Sequence, residues 1–552
     1  MRKLRIGLLV DDVSSSKYVY ELATWAQQQN ILEISHLIIS SPKKRGGLER
    51  LEELLDITVL HRRIASSLFN LIVSIERQLL KFSKLHRTHF ERFDLGEVIS
   101  RKITIQPHLA SDDGSYSFSE LDVKRVSALE LDLIVRHGHC QMAGAILRAA
   151  RLGTIAYSSV TDPTHGNDTS CFWECYTKAS KTGFAIKTLN DGVRSGKTLL
   201  SGFFATNYCF SLNQAGMYRK SSPHFHDLLK RIAASGKLPN SSPEVRCNAI
   251  PNRAPNVGES ITYLFKLFYR LSKKIVYRSM NFQKKWGLSF IESSWRGLHS
   301  HHRYQAIAPQ GHFWADPFVY SHDGKTYCFI EDYVYKTGLG HIAVLEVSKD
   351  SAIHLGDCIK EPFHLSFPFL FQHEGSLYMC PEASASRKIQ LYRCVDFPLQ
   401  WEPSTTIMED VSAADSMLFE HAGIWWMLTS IDKSGSDDYT SELYLFYADS
   451  PHSKNWTSHP VNPIYIDSDG GRNAGLIVED GKIFRLAQRQ GFDQYGKGLM
   501  MFEVTHLTKT KYAERQLPRI SPPLSNGQIG THHLSTTGTV TVFDHVSRTF
   551  AQ

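Results

Sequence analysis

Apolar residues follow two different rhythms along this chain, and the rhythm changes near residue 286. Before it, continuous apolar runs alternate with helical patterns. LRIGLLV (4–10), ending in Asp11 and Asp12, reads as a buried strand. A helical pattern follows at 17–29 and a second strand at 32–40. Residues 48–92 are helical and polybasic, with Leu68, Leu71, Ile72, Ile75 and Leu79 at helical spacing. LDLIVRHG (131–138) is a strand running into a glycine, followed by a helix at 141–151 and a strand at 153–157. This alternation predicts an α/β unit: a twisted parallel sheet with helices on its faces. Ser, Pro, Asn and Gly crowd residues 235–260, a linker composition. A basic amphipathic helix follows, TYLFKLFYRLSKKIVYRSMNFQKKW (262–286). Two readings of it stand: a connector packing its apolar side on a domain, which we prefer, or peripheral contact with an anionic membrane surface.

After residue 286 the pattern turns to short alternating strands, and it repeats. DPFVYSHDG (316–324), FPFLFQHEG (367–375), DSMLFEHAG (415–423), NAGLIVEDG (473–481) and GTHHLSTTG (530–538) are each nine residues long and end in glycine. A second strand follows each one: KTYCFIED, SLYMCPEA, IWWMLTSI, KIFRLAQR and TVTVFDHV. The starts lie 51, 48, 58 and 57 residues apart. A hairpin recurring at this spacing is the signature of four-stranded propeller blades, here five of them. The fifth lacks outer strands after residue 547, so residues around 286–306 are expected to supply them and close the ring. The domain plan is then 1–230 α/β with a helical insertion at about 48–92, 231–285 linker and basic helix, and 286–552 propeller.

In a propeller the innermost strands converge on one funnel. The blade starts place Asp316, His364 with Ser366, Asp415, Arg472 with Asn473, and His532 there. Fifteen residues after each of the first four starts come Glu331, Glu382, Ser430 and Gln488. Several carboxylates around one axis can divide the roles of base, acid and pKa modulator in glycoside chemistry. Arg472 can hold a carboxylate or phosphate through two parallel hydrogen bonds. The structural alternative is that Asp before Pro caps a turn and Glu after Pro caps a strand end. For His532 and His533 a hydrogen-bonded structural role is preferred to ion ligation, and no metal is expected.

Composition narrows the partners. The formal charge of +7 over 552 residues is a mild excess, and no nucleic-acid partner is expected. Nine cysteines occur singly, without a CxxC pair, which argues against a disulfide framework or a zinc site and for reduced thiols in the cytoplasm. No run of about 18 apolar residues is present for a spanning helix. The expected location is cytoplasmic, with membrane association through 262–286 as the variant.

Three resemblances add to this. WADPF (314–318), HLSFPFLF (364–371), YMCPEAS (378–384), CVDFPLQW (394–401), WWMLTS (425–430), LYLFYADS (443–450), HPVNP (459–463) and RNAG (472–475) resemble the propeller domain of the plant glucosamine inositolphosphorylceramide transferase family and its bacterial relatives. In the plant family, sugar transfer is assigned to a separate C-terminal glycosyltransferase domain, which this sequence lacks. More distantly, the propeller resembles five-bladed furanosidase-type hydrolases. That resemblance implies Asp316 as base or nucleophile, Glu382 as acid and Asp415 as modulator. Residues 131–205, through LDLIVRHGHCQMAGAILRAARLGTIAYSS, GNDTSCFWE and TGFAIKTLNDGVRSGKTLL, resemble the catalytic half of the formyltransferase fold, a Rossmann-type sheet whose family uses 10-formyltetrahydrofolate. Where that family carries its Asn, His and Asp, this chain has Ala156, Ser158 and Arg194. Losing one general acid–base group costs on the order of 10²–10⁴ in rate, so the usual formyl transfer and use of the folate are not expected. His165 is a substitute for the lost His without fixed geometry.

The leading expectation is a transferase-type enzyme acting on a sugar or glycan in surface polysaccharide or glycolipid assembly, with its site in the funnel. Two alternatives stay open: a non-catalytic glycan-binding scaffold that recruits a glycosyltransferase, and a formyltransferase acting on an amino sugar through a rearranged site.

Overall fold

The computed structural model describes residues 2–41, 57–80, 91–109, 115–138, 142–159, 170–190, 196–240, 253–280, 282–298, 303–525 and 527–550. The chain divides into two compact units, Met1–Leu271 and Ser272–Gln552.

The first unit is built on a seven-stranded sheet. Its strands are β1 (Leu4–Val10), β2 (Leu32–Ser40), β3 (Lys102–Ile105), β4 (Leu133–His137), β5 (Thr154–Ser159), β6 (Lys181–Thr188) and β7 (Thr198–Ala205), in the order β7-β6-β5-β4-β1-β2-β3. Both faces are covered, which is why β1 reads as a continuous apolar run. Ile6, Leu8 and Val10 pack against α1 (Lys17–Gln27), whereas Leu9 and Ile134 belong to a second cluster with Val126 and Ile146. From β3 to β5 the strands run parallel. The sheet is not parallel throughout, as the apolar runs suggested: β6 is antiparallel to both β5 and β7. The nine residues between β6 and β7 are too few for the crossover of a dozen or more residues that a parallel return requires.

Three helical readings also change. Within 48–92, the described helix is α2 (Ile57–Leu79). The expected helix at 141–151 is a single 3₁₀ turn, Ala145–Arg148; Gly144 precedes it with φ +87°, outside helical geometry. The basic helix spans Val257–Ser279 rather than 262–286, because Phe282–Ile291 already pairs as a strand. The remaining helices used below are α3 (Glu120–Ser127), α4 (Phe172–Thr177) and α5 (Phe210–Ser235), so the basic one is α6.

The second unit is a five-bladed β-propeller. Blades 1 and 2 are β10 to β13 (His312–His322, Lys325–Val334, Leu339–Ser348, Ser351–Ile359) and β14 to β17 (Ser366–His373, Ser376–Glu382, Lys388–Asp396, Gln400–Glu409). Blade 3 is β18 to β21 (Ala413–His421, Ile424–Ile431, Glu442–Ala448, Thr457–Ser458), and blade 4 is β22 to β25 (Asn473–Glu479, Lys482–Gly491, Gln494–Leu507, Tyr512–Gln516). Blade 5 joins the two ends of the unit. β28 (Thr541–Phe550) pairs on one side with β26 (Gln528–Gly530) and β27 (Leu534–Thr536), and on the other with β8 (Phe282–Ile291), which pairs with β9 (Arg303–Ala306). The innermost strands touch in the closed cycle β10-β14-β18-β22-β27-β10.

The glycine ending each of the first four repeats has a local cause. Asp323-Gly324, Glu374-Gly375, Ala422-Gly423 and Asp480-Gly481 all have positive φ at both positions. Each forms the two-residue hairpin turn whose twist matches the flanking strands, and glycine is the low-cost residue at its second place.

Candidate functional site at the propeller axis

A second irregularity aims the candidate side chains. The four inner strands β10, β14, β18 and β22 each break register at the same level, at Ala315/Phe318, Ser366/Phe369, Ala414/Met417 and Asn473/Gly475. Each bulge holds one left-handed residue: Asp316, Phe367, Asp415 and Gly475. Asp is among the few side-chain-bearing residues that adopt this conformation readily, and bulges re-aim side chains beside sites.

Around Asp316 the charges are paired. Its Oδ1 lies 3.2 Å from Nε2 of His532, and its Oδ2 accepts the Phe367 N–H of blade 2 at 3.2 Å. On its other side, Nδ1 of His532 lies 2.6 Å from Oδ2 of Asp544. Burial alone would raise the Asp316 carboxyl, but His532, with Arg472 behind it, holds it down at about 2. Burial opposes charge on His532; Asp544 and Asp316 overcome it and raise the imidazole to about 10. The ring is therefore a cation at neutral pH. Asp316, His532 and Asp544 bring donor atoms within 4.8 Å of one another, as a metal site requires. With its proton in place the imidazolium pairs with a carboxylate at each nitrogen as an ion-pair relay; a cation bound there would replace that proton.

Glu331 stands in the opposite state. Burial is the largest influence on it, and Asp316 and Glu382 add to the effect, so its pKa is pushed well up. Its Oε1 is 3.4 Å from Nε2 of His364. His364 Nδ1 accepts the Gly340 N–H at 2.9 Å, and burial lowers the pKa of its ring. A neutral His364 then carries its proton on Nε2, facing Glu331.

Arg472 clamps the rest. Its Nε and one Nη donate to the two oxygens of Asp415 at 2.6 and 3.2 Å, and the same Nη donates to Glu382 Oε2 at 3.0 Å. Gln488 donates to Asp415 Oδ2 at 3.2 Å. Burial raises Asp415 strongly; Arg472 pulls against the rise and Glu382 adds to it. The guanidinium lies over the Tyr495 ring, 5.4 Å from its centroid. Asn473 turns away from the charges and ties blades together, donating to the main-chain carbonyls of Asp415 and Leu428 at 2.8 and 3.2 Å. Ser430 likewise donates to the Gly471 carbonyl, and Ser366 is a buried neighbour of Glu382 across the hairpin. The His533 ring is buried against Phe318 and Phe367, while its main-chain N–H donates to Asp544 Oδ1 at 3.0 Å.

Asp544, Trp286 and Tyr495 were not legible as site residues. In blades 1 to 4 the inward residue of the second strand comes seven places after the turn glycine: Glu331, Glu382, Ser430 and Gln488. In blade 5 the hairpin closes with a four-residue loop between Thr536 and Thr541, and Asp544 takes the place opposite His533, six residues after Gly538. Trp286 comes from β8, at the other end of the unit, and lies 4.0 Å from His532 between ring centroids; Tyr495 lies 5.2 Å from it.

In the first unit, Ala156 is a buried member of an apolar cluster on β5, and the Ser158 hydroxyl donates to the Ala185 carbonyl at 3.4 Å. Arg194 and His165 lie outside the described residues.

Residues 301–528 match the family model described as glucosamine inositolphosphorylceramide transferase 1, N-terminal. The glucosamine inositolphosphorylceramide transferase 1 of Arabidopsis thaliana is 35% identical over 211 residues, and that of Oryza sativa subsp. japonica 33% over 207. Each match covers 37% of this chain and 27% of the relative, so the chain spans about a quarter of the length of these proteins. Among solved structures, a GH43 β-1,3-galactosidase with galactodeoxynojirimycin matches with a TM-score of 0.32 at 13% identity, covering 40% of this chain and 82% of its own. The GH62 α-L-arabinofuranosidase domain of Coprinopsis cinerea gives 0.31 at 12%, covering 43% and 90%. The stretch 301–528 is thus similar to the N-terminal domain of the plant transferases, and it lies within the five-bladed propeller.

Proposed function

We propose that the mouth of the propeller binds a sugar or glycan and acts on it by glycosyl-transfer or glycoside-type chemistry, in the assembly of a surface polysaccharide or glycolipid. The observation that carries this reading is the pair of buried carboxyl groups held in opposite states, Asp316 low and Glu331 high. Environments that push two carboxyls apart supply a base and an acid at one pH. Asp316 is the base or nucleophile. Glu331 holds the proton for a leaving group. Asp415 and Glu382, gripped by Arg472, set the field around them. The plant relatives' name points to an amino-sugar donor and an inositol phosphate acceptor, and these are the first substrates to try.

Product analysis with nucleotide-linked glucosamine and inositol phosphoglycolipid tests the proposal. Asp316→Asn and Glu331→Gln should each lower turnover on the order of 10²–10⁴. Glu331→Gln should leave the melting temperature unchanged, because it keeps the shape of the side chain and buries no new charge. Turnover retained in both variants would remove the funnel from catalysis.

A second reading, a glycan-binding scaffold, draws on the pairing of Arg472 with blades 2 and 3, which also fastens the ring. It requires saturable sugar binding by calorimetry with no product. For the first unit, the same view keeps the formyltransferase-like sheet as a binding or assembly module. Ala156 and Ser158 offer no proton-transfer group there.

A further inference from the structure

The helix α6 carries two apolar faces where a helix on a protein surface needs one. Its inner face is anchored. Tyr263 and Leu267 are buried in one cluster with Phe69, Ile72 and Val73 of α2 and with Phe172 of α4. The Tyr263 hydroxyl donates to Glu76 Oε2 at 2.7 Å, and Arg270 donates to the carbonyls of Tyr208 and Cys175 at 2.7 and 2.9 Å. The helix cannot roll without breaking these bonds.

At about 100° per residue, Ile261, Phe265, Phe268, Tyr269, Ile275 and Val276 fall within an arc of roughly 120° on the opposite side. All six are exposed, with Phe265 at 71%, Tyr269 at 65% and Ile275 at 68%. Lys266 and Lys273 fall along one border of that arc, and the whole helix carries Lys266, Arg270, Lys273, Lys274 and Arg278 against Glu259 alone. The neighbouring α2, seated on the same cluster, also exposes Leu60, Ile64 and Leu71 and carries the exposed cations Arg63 and Arg77. Scattered surface apolar residues are ordinary, but a continuous aromatic stripe bordered by lysines marks a binding surface. Among the described residues no helix is long and apolar enough to cross a membrane, so the stripe is not part of a span.

We propose that this face of α6 docks on the surface of an anionic lipid bilayer. The rings of Phe265 and Phe268 enter the boundary between headgroups and acyl chains, and Lys273 on the border meets lipid phosphates and carboxylates, whereas the Lys266 ammonium donates to the Tyr176 carbonyl at 3.1 Å. The combination of an apolar arc and a cationic border fits such a surface: the arc supplies buried area and the cations supply attraction to negative lipid. The inference is independent of any chemistry at the propeller.

The test is cosedimentation of the full chain with vesicles of equimolar phosphatidylserine and phosphatidylcholine, against phosphatidylcholine alone. Binding is expected to the anionic vesicles and to fall with added salt. Phe265→Ser with Phe268→Ser should weaken it on the order of tenfold, and Lys273→Gln roughly fivefold. Both variants change exposed side chains, and an unchanged melting temperature verifies the fold. Absence of wild-type binding, equal binding to neutral vesicles, or indifference to the Phe substitutions would each overturn the proposal. So would light scattering that finds a dimer which the Phe variant converts to monomer, because the face would then serve self-association.

Discussion

Replacing Asp544 with Asn should weaken the hold on the His532 proton, so that the ring loses its charge at lower pH. The imidazole is buried, with Asp544 at 2.6 Å and Asp316 at 3.2 Å, and these raise its pKa from 6.5 to about 10. A rise of that size corresponds to ~5 kcal/mol between the protonated and neutral ring. Opposite charges at such separations attract by about 5–6 kcal/mol at an effective dielectric of 20, before the opposing cost of burial. Asp544 is the nearer of two partners, so its loss should remove roughly half of the effect, ~2–3 kcal/mol at neutral pH. The pH dependence carries the sign. The contribution of His532 is complete below about pH 6.5 and fades as pH rises through about 10. That of Asp316, held at about 2 against an ordinary 3.8, is complete above pH 3.8 and is lost as pH falls through about 2. Wild-type stability from this relay should therefore be flat between about pH 4 and 6.5 and decline on both sides. In Asp544→Asn the alkaline decline should begin at lower pH. Melting curves across pH, with imidazole nitrogen chemical shifts assigned through His532→Gln, would follow both changes. An alkaline limb that is the same in both proteins would refute the relay.

Two further outcomes follow from the same geometry. Arg472→Met leaves Asp415 and Glu382 buried without their cation and should destabilise the propeller by about 3–5 kcal/mol in denaturant unfolding; Arg472→Lys should restore little, because an ammonium cannot fork across both oxygens of Asp415. Gly496→Ala should cost about 1–3 kcal/mol and alter tryptophan fluorescence, since φ is +66° there and a Cβ would stand 2.7 Å from the Trp286 ring.

What could be read from the residues alone was whatever is decided locally. The hairpin turns were legible because two consecutive positive φ values select glycine, so the turns punctuate the chain at each blade. Equivalent inward positions in blades 1 to 4 could be found by counting from those glycines, since a two-residue turn leaves the register no freedom. The count failed in blade 5, where a longer loop moves Asp544 by one place. Parallel strands in the first unit announced themselves by burial on both faces. The antiparallel β6 and β7 did not, because a buried strand reads the same in either direction.

Tertiary structure decided everything that depends on distant residues meeting. Ring closure sets β8 against β28 and so puts Trp286 beside His532, although 246 positions separate them in the chain. It also decided which carboxyls keep their protons. Asp316 at the start of blade 1 and Glu331 on its second strand are both plain acids in the sequence. One faces an imidazolium and the other faces buried surroundings and like charge, and that difference of environment exists only once the blades have closed on one another.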